Sequence, residues 1–400
     1  MNDQDENIPN PTFHDHPQTS ILRQFQETWM ISVFGILLVL GGSSLLFWNE
    51  GRAIKTSMAL EEGLREIIVP ETLEEVFVEN NAKLVLVGGP LAITNSLRDD
   101  YYGISINAVK LKKTVEMFQW KETEHKKEHT VTNADGEQVT HVDKTYSYHK
   151  DWFDHHIDSS SFKGTYGYTN PPREYWPVEP RTETNTDVRI GSFVLGPALK
   201  DKITSFKPLP HDKLPTSAWV WVKLYNGVYY HSRNLWEPEI GDYRVEFSYA
   251  GGEGDEFTTV GKQAGQEIVP YQTETGEELF ILHTGLRDAG EVFLTEHHHN
   301  RTWTWIYRLA GWFPMFLGLC CLSTLLELVL DLYPTVRSVV TLGMTSLPFS
   351  VSISLSLTII GVGWSWYRPI VGLALLLMGL LPYMLPVSRL LMADNRDHRD

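Results

Sequence analysis

Four long apolar runs decide what this chain can fold into. Residues 309–330, 339–364 and 370–387 follow one another near the C-terminus, and residues 29–48 stand far upstream. Each run is close to the roughly 20 apolar residues that carry a helix across a bilayer core. In lipid, a helix satisfies every backbone N–H and C=O within one segment, so each run is read as a membrane span. The runs 339–364 and 370–387 hold no ionisable residue, and 309–330 holds only Glu327. The expected fold is a multi-pass α-helical membrane protein with four spans, one plus three. A large β-rich α+β domain lies outside the membrane between spans 1 and 2.

Bulk composition conceals this pattern. The mean hydropathy is −0.20 because a polar domain dilutes the apolar helices. The net charge of −16, from 34 Lys+Arg against 50 Asp+Glu, argues against nucleic acid, which is bound by cationic surfaces. It argues equally against an electrostatic grip on anionic lipid. The two cysteines, Cys320 and Cys321, are adjacent and inside a span, so the large domain has no disulfide to rely on.

Taken in order, residues 1–28 form a polar, proline-bearing tail expected to be disordered. Span 29–48 is bracketed by Trp29 and Trp48, as interfacial aromatics should be. A juxtamembrane helix is expected at 49–70, with Leu60, Leu64, Ile67 and Ile68 at helical spacing and Pro70 stopping it. A first β-rich unit follows at 71–169. Its Val115, Met117 and Gln119 alternate with Glu116, Phe118 and Trp120, and Asp135-Gly136 signals a long hairpin. Pro171, Pro172, Pro177 and Pro180 mark 170–185 as a linker or an irregular crossing. A second β-rich unit at 186–287 carries a hairpin at Asn226-Gly227 and an alternating strand through Tyr243, Val245, Phe247 and Tyr249. Residues 288–308 read as a helix entering the second span, and 388–400 as a charged tail. Four spans put both tails on one side and the domain on the other; the Lys/Arg distribution does not fix which side.

Several stretches resemble the transmembrane protein 43 family, also called LUMA. They are Asn49-Glu50-Gly51-Arg52-Ala53, Ala108-Val109-Lys110-Leu111 running to Val115-Glu116-Met117-Phe118-Gln119-Trp120, Gly241-Asp242 running to Phe247-Ser248-Tyr249-Ala250-Gly251, Ala310-Gly311-Trp312, and Tyr367-Arg368-Pro369. The resemblance implies a lumenal or periplasmic domain, tails on the cytoplasmic or nucleoplasmic side, and self-association. It also implies the endoplasmic reticulum or inner nuclear membrane and a role in organising envelope proteins, with no catalytic residue to carry over.

Candidate chemistry is sparse. His125-Lys126-Lys127-Glu128-His129 fits H-x-x-E-H, but that zinc chemistry needs a helix with an apolar back, and the flanks are those of a charged hairpin strand. Asp151, Asp154, His155, His156 and Asp158 form a second polar cluster, and His297-His298-His299 a third; solvated surface is the simpler reading of both. Gly251-Gly252-Glu253-Gly254 lacks the Lys-Ser/Thr of a phosphate loop. Glu327 is the intramembrane ionisable candidate, with snorkelling to the interface as its plain alternative. Ser350, Ser352, Ser354, Ser356 and Thr358 read either as a polar path or as a helix-packing surface. Gly311 with Gly318, and Gly372 with Gly379, are each seven apart, nearly two helical turns, and are candidate helix-packing positions.

The sequence therefore predicts an integral membrane scaffold or organiser that is not an enzyme and takes no cofactor or metal. Its expected partners are the lipid bilayer, further copies of itself and other membrane proteins. The alternatives are a transporter or channel through the bundle and a metal-dependent membrane hydrolase. The membrane is the inner membrane with a periplasmic domain in a bacterium, or the endoplasmic reticulum or inner nuclear membrane with a lumenal domain in a eukaryote.

Overall fold

A computed structural model describes residues 21–132, 138–164, 166–216, 219, 221–330 and 347–380. The chain divides into two compact units, Met1–Glu61 with Phe293–Asp400, and Glu62–Val292.

The first unit holds the apolar helices. Helix α1 spans Ile21–Glu66, α3 spans Ala289–Leu330, α4 spans Leu347–Ser365 and α5 spans Pro369–Leu380; the short α2, Pro197–Lys202, belongs to the other unit. Among the described residues, three helices are long and apolar enough to cross a membrane: α1, α3 and α4. The expected fourth span, 370–387, is described only as the shorter α5; its remainder, the tail 388–400, most of the tail 1–28 and the stretch joining α3 to α4 lie outside the described residues.

The juxtamembrane helices expected at 49–70 and 288–308 are not separate elements. No proline interrupts α1, so it runs unbroken for 46 residues, about 70 Å at 1.5 Å per residue. Helix α3 runs for 42 residues, about 63 Å. Both exceed the roughly 30 Å of a hydrocarbon core, so each projects into water as a continuous rod. Pro314 sits inside α3.

The second unit is built on two sheets. In the first, Leu84–Ile93 pairs antiparallel with Glu256–Ala264 and also with Val188–Ile190. Phe193–Val194 and Glu267–Val269 complete a ring between those neighbours, and Ile281–Thr284 adds to Glu256–Ala264. The ring encloses an apolar core that includes Val85, Val87, Ile190, Phe193, Leu199 and Ile268. The second sheet runs Val222–Tyr225, Val228–His231, Tyr243–Gly252, Ala108–Thr132, Gln138–Phe153. Its core gathers Tyr102, Leu111, Val115, Tyr229, Val245 and Phe247. The hairpin of Ala108–Thr132 with Gln138–Phe153 is continuous from Met117↔Phe153 to Thr132↔Gln138, and its Asp135-Gly136 tip lies outside the described residues. Asn226 and Gly227 turn their hairpin with φ of 50° and 84°, the positive pair a two-residue turn of the primed type requires.

The strands do not sort into 71–169 and 186–287. Each sheet takes strands from both sides of 170–185, so the expected two-unit division is corrected to one interleaved domain. The proline-rich stretch is not a free linker: Trp176 and Val178 pack on the second core, and Arg181–Thr184 pairs with Ala108–Thr132. Prolines prevent regular pairing along 171–180, but they do not prevent packing.

Candidate functional site

Helix α1 turns polar where its apolar run ends. Trp48 is followed by Asn49 and Glu50, and both are 0% exposed. A carboxylate so placed is costly unless every lone pair is met. Arg308 meets it bidentately: Nε donates to Oε1 at 2.7 Å and one NH2 to Oε2 at 2.8 Å. Trp364 Nε1 donates to Oε2 at 2.7 Å. Glu50 closes α1's apolar run, Arg308 opens that of α3, and Trp364 ends that of α4. Three helices therefore meet at one edge of the apolar bundle through one carboxylate.

A second polar layer lies beside it. Asn49 Nδ2 donates to the Thr304 carbonyl at 3.2 Å, and Asn300 Nδ2 to the Ala53 carbonyl at 2.9 Å. The Arg52 guanidinium reaches Asn300 Oδ1 at 3.2 Å, Asn49 Oδ1 at 3.3 Å and Thr304 Oγ1 at 3.4 Å, and lies 5.5 Å from the Tyr307 ring centre. Its buried Nε has no hydrogen-bond partner among the described residues. Gly363 allows the close approach of α4, since a Cβ there would sit 3.0 Å from Glu50 Cβ. Gly51 has no such role: among the described residues nothing lies within 4 Å of its missing Cβ.

Below this edge α1 and α3 pack by glycine. A Cβ on Gly35 would lie 2.8 Å from the Gly318 carbonyl oxygen, and one on Gly42 would collide with the Gly311 carbonyl and Met315. Reciprocally, Gly311 faces Leu46 and Gly42, and Gly318 faces Gly35, Val39 and Leu38. Steps of seven along α1, through Gly35, Gly42 and Asn49, meet steps of seven back along α3, through Gly318, Gly311 and Thr304. The two helices are antiparallel in one register, from the glycine seam into the polar layer. In α4 and α5, Gly372 lies against Ser365, Gly361 against Leu376, and Gly379 against Thr358 and the Ser354 carbonyl.

The serine row of α4 serves packing. Ser352, Ser354 and Ser356 are buried. Ser352 accepts from Trp312 Nε1 at 3.1 Å, Ser354 donates to the Gly379 carbonyl, and Ser356 and Thr358 donate to carbonyls one turn back. The backbone of Glu327 lies on α3, but its side chain falls outside the described residues.

The histidine clusters are spread along their elements. His125 and His129 sit on the strand Ala108–Thr132, where four residues span about 13 Å, too far to share one ion. His125 bonds Ser147 at 2.8 Å, and His129 lies 3.5 Å from Asp143. In the 151–158 cluster, Asp158 caps a short turn through Ser160 N, and His156 bonds the Pro171 carbonyl at 3.1 Å. His155 bonds Asp154 at 2.8 Å and holds that carboxyl below its usual range. Among the described residues, no group of three His, Cys, Asp or Glu converges as metal ligands would. His297 and His298 line a cleft beside the Glu50 layer.

Among the described residues, the β domain holds one buried imidazole, which no sequence motif marks. His231 is 8% exposed, bonds the Tyr102 hydroxyl at 2.9 Å and stacks on Tyr243 with centres 4.0 Å apart. Burial pushes its pKa down from 6.5 to about 4, and pushes the phenols of Tyr102 and Tyr243 up. A folded-state pKa below the unfolded one means that the unfolded chain takes up the proton first as pH falls. His231 therefore contributes stability that is full above about pH 6.5 and is lost as pH falls towards about 4. Thermal midpoints of the full chain in detergent, followed by tryptophan fluorescence, should fall more steeply between about pH 7 and pH 5 than those of His231→Gln. Parallel slopes would show that this imidazole is not the titrating group.

Helices long and apolar enough to cross a membrane, knit at one edge by a buried ion pair and joined to a β-rich domain, define a multi-pass integral membrane protein. The family model described as transmembrane protein 43 matches residues 117–369. Transmembrane protein 43 of Pongo abelii is 37% identical over 380 residues, covering 93% of this chain and 93% of that protein. The Homo sapiens protein is 36% identical over 380 residues with the same coverage, and the Drosophila melanogaster homolog 35% over 374 residues, 91% and 96%. The chain belongs to the transmembrane protein 43 family. No solved structure matches it.

Proposed function

We propose that the chain is a membrane organiser: a self-associating bundle of four crossings that holds its β domain beside the membrane for protein or lipid partners, with no catalytic role. The observation that carries this is the outward surface of α1. Only 22% of its apolar stretch is buried within the chain. On that surface Gly41 has nothing among the described residues within 4 Å of its missing Cβ and Ser44 is exposed, while the neighbouring Gly42 faces α3. Small residues that open a helix backbone to lipid allow a second helix to approach closely, a main source of association in membranes. The fourth crossing is supported by α5, an apolar helix that starts just after the Trp364 edge and packs back along α4 through Gly372 and Gly379. That count places both tails opposite the domain. The membrane that fits is the endoplasmic reticulum or inner nuclear membrane in a eukaryote, with the domain lumenal, or the inner membrane of a bacterium, with the domain periplasmic.

Cross-linking in native membranes tests the self-association. The parent should give dimers and larger species, and Gly41→Leu should reduce them without loss of the folded protomer. A parent that stays monomeric at every protein-to-lipid ratio removes the proposal.

A further inference from the structure

Beside the polar layer is a cleft of about 790 Å³, formed wholly within the helical unit. We propose that it binds the headgroup of an anionic glycerophospholipid from the surrounding bilayer. This names a lipid class for the membrane-organiser reading and rests on it only in placing the Glu50 edge at the bilayer surface.

Position is the first argument. The cleft opens where the apolar runs of α1, α3 and α4 end, and Trp305, Trp364 and Tyr367 stand on its wall. Trp and Tyr at such an edge mark the headgroup level. Charge is the second. In a chain of net charge −16, the cleft is lined by three arginines, Arg301, Arg308 and Arg368, against the single carboxylate Glu61. Arg308 is already neutralised by Glu50 behind it. Arg368 lies 4.0 Å from Glu61 with both side chains more than half exposed, a weak pair. Arg301 is exposed and has no ion-pair partner among the described residues. The cleft therefore carries a net positive charge with donors free to grip a phosphate, and guanidinium is the side chain best matched to that oxyanion. Chemistry of the floor is the third. Ala53, Ile54, Met58 and Leu294 are apolar, as the glycerol and upper acyl chains of a lipid require and a free phosphate does not. A zwitterionic headgroup would bring its own cation to an already positive rim, so the anionic class is favoured.

The test uses the full chain in nanodiscs containing phosphatidylglycerol or phosphatidylcholine, with bound lipid counted by native mass spectrometry. The parent should retain phosphatidylglycerol over phosphatidylcholine. Arg301→Gln with Arg368→Gln should lower that retention about tenfold, because two charge-assisted phosphate contacts are lost, with thermal stability unchanged since both side chains are exposed. Ser57→Trp, which fills the cleft and keeps every charge, should lower it as well. Equal retention of the two lipids, or full retention in both variants, would overturn the proposal. So would displacement of the lipid by soluble glycerol phosphate at matched concentration, which would assign the site to a free phosphate. None of these readouts depends on self-association, so each proposal can fail alone.

Discussion

Gly42→Leu should unfold or disperse the helix bundle, and Gly41→Leu should leave the protomer intact. The two positions are adjacent and differ in what a side chain would meet. At Gly42 even a Cβ collides with the Gly311 carbonyl and the Met315 side chain, with Met315 N at 3.2 Å. Backbone cannot move aside as a side-chain tip can. Overpacking of a tight interior costs about 1–3 kcal/mol and occasionally more, and the upper end applies where backbone blocks the way. At Gly41 the space is open, so the change belongs with surface substitutions, within about 0.5 kcal/mol. Gly318→Leu should resemble Gly42→Leu, because it meets the Gly35 carbonyl, Val39 and Leu38. Gly372→Leu should loosen α5 from α4 without disturbing the α1–α3 seam. Size-exclusion elution and thermal midpoints in one detergent report all four. Loss of folded protomer in Gly41→Leu, or a normal midpoint in Gly42→Leu, would place the seam on the wrong face of α1.

The second large effect is expected at Glu50. Glu50→Ala leaves Arg308, whose side chain is 18% exposed, without its carboxylate and leaves Trp364 Nε1 without an acceptor. Breaking a buried pair from one side costs about 3–5 kcal/mol, because the surviving charge is left uncompensated. Arg308→Ala should cost at least as much, since Glu50 is 0% exposed and keeps only the Trp364 donor. Trp364→Phe should be milder, about 1–2 kcal/mol, removing one hydrogen bond of three. The melting midpoint of the full chain gives the order: Arg308→Ala and Glu50→Ala far below the parent, Trp364→Phe between.

The spans and this knot were legible in the sequence to different degrees. Hydropathy locates α1, α3 and α4 because the bilayer imposes a length on any helix crossing it. Local chemistry also locates the hairpins: Asn226-Gly227 reports a turn by its own φ requirements. Glu50 reports nothing locally. It follows Trp48 by two residues and reads as one polar residue of a juxtamembrane helix, while its partners lie 258 and 314 positions away. The glycine spacing was half legible. Gly311 and Gly318 show the period of seven, and Gly35 and Gly42 repeat it on α1, so matched spacing on two apolar runs was an available signal for the seam. The interleaving of the sheets was not available, since alternation marks a strand but not its distant partner. The cationic cleft was hidden by composition: a net charge of −16 argues against a basic lipid site across the whole surface, but not at one concave edge.

Closure of the bundle at one edge by a buried carboxylate–guanidinium pair is tested most directly by a double-mutant cycle at Glu50 and Arg308. Glu50→Gln, Arg308→Met and the double variant would be compared with the parent by equilibrium unfolding in one detergent. Each single change should be strongly destabilising, and the double variant should recover much of the loss, giving a coupling of about 2 kcal/mol or more. Additive losses, with no coupling beyond about 0.5 kcal/mol, would show that the two side chains do not hold each other and would contradict the bundle described here.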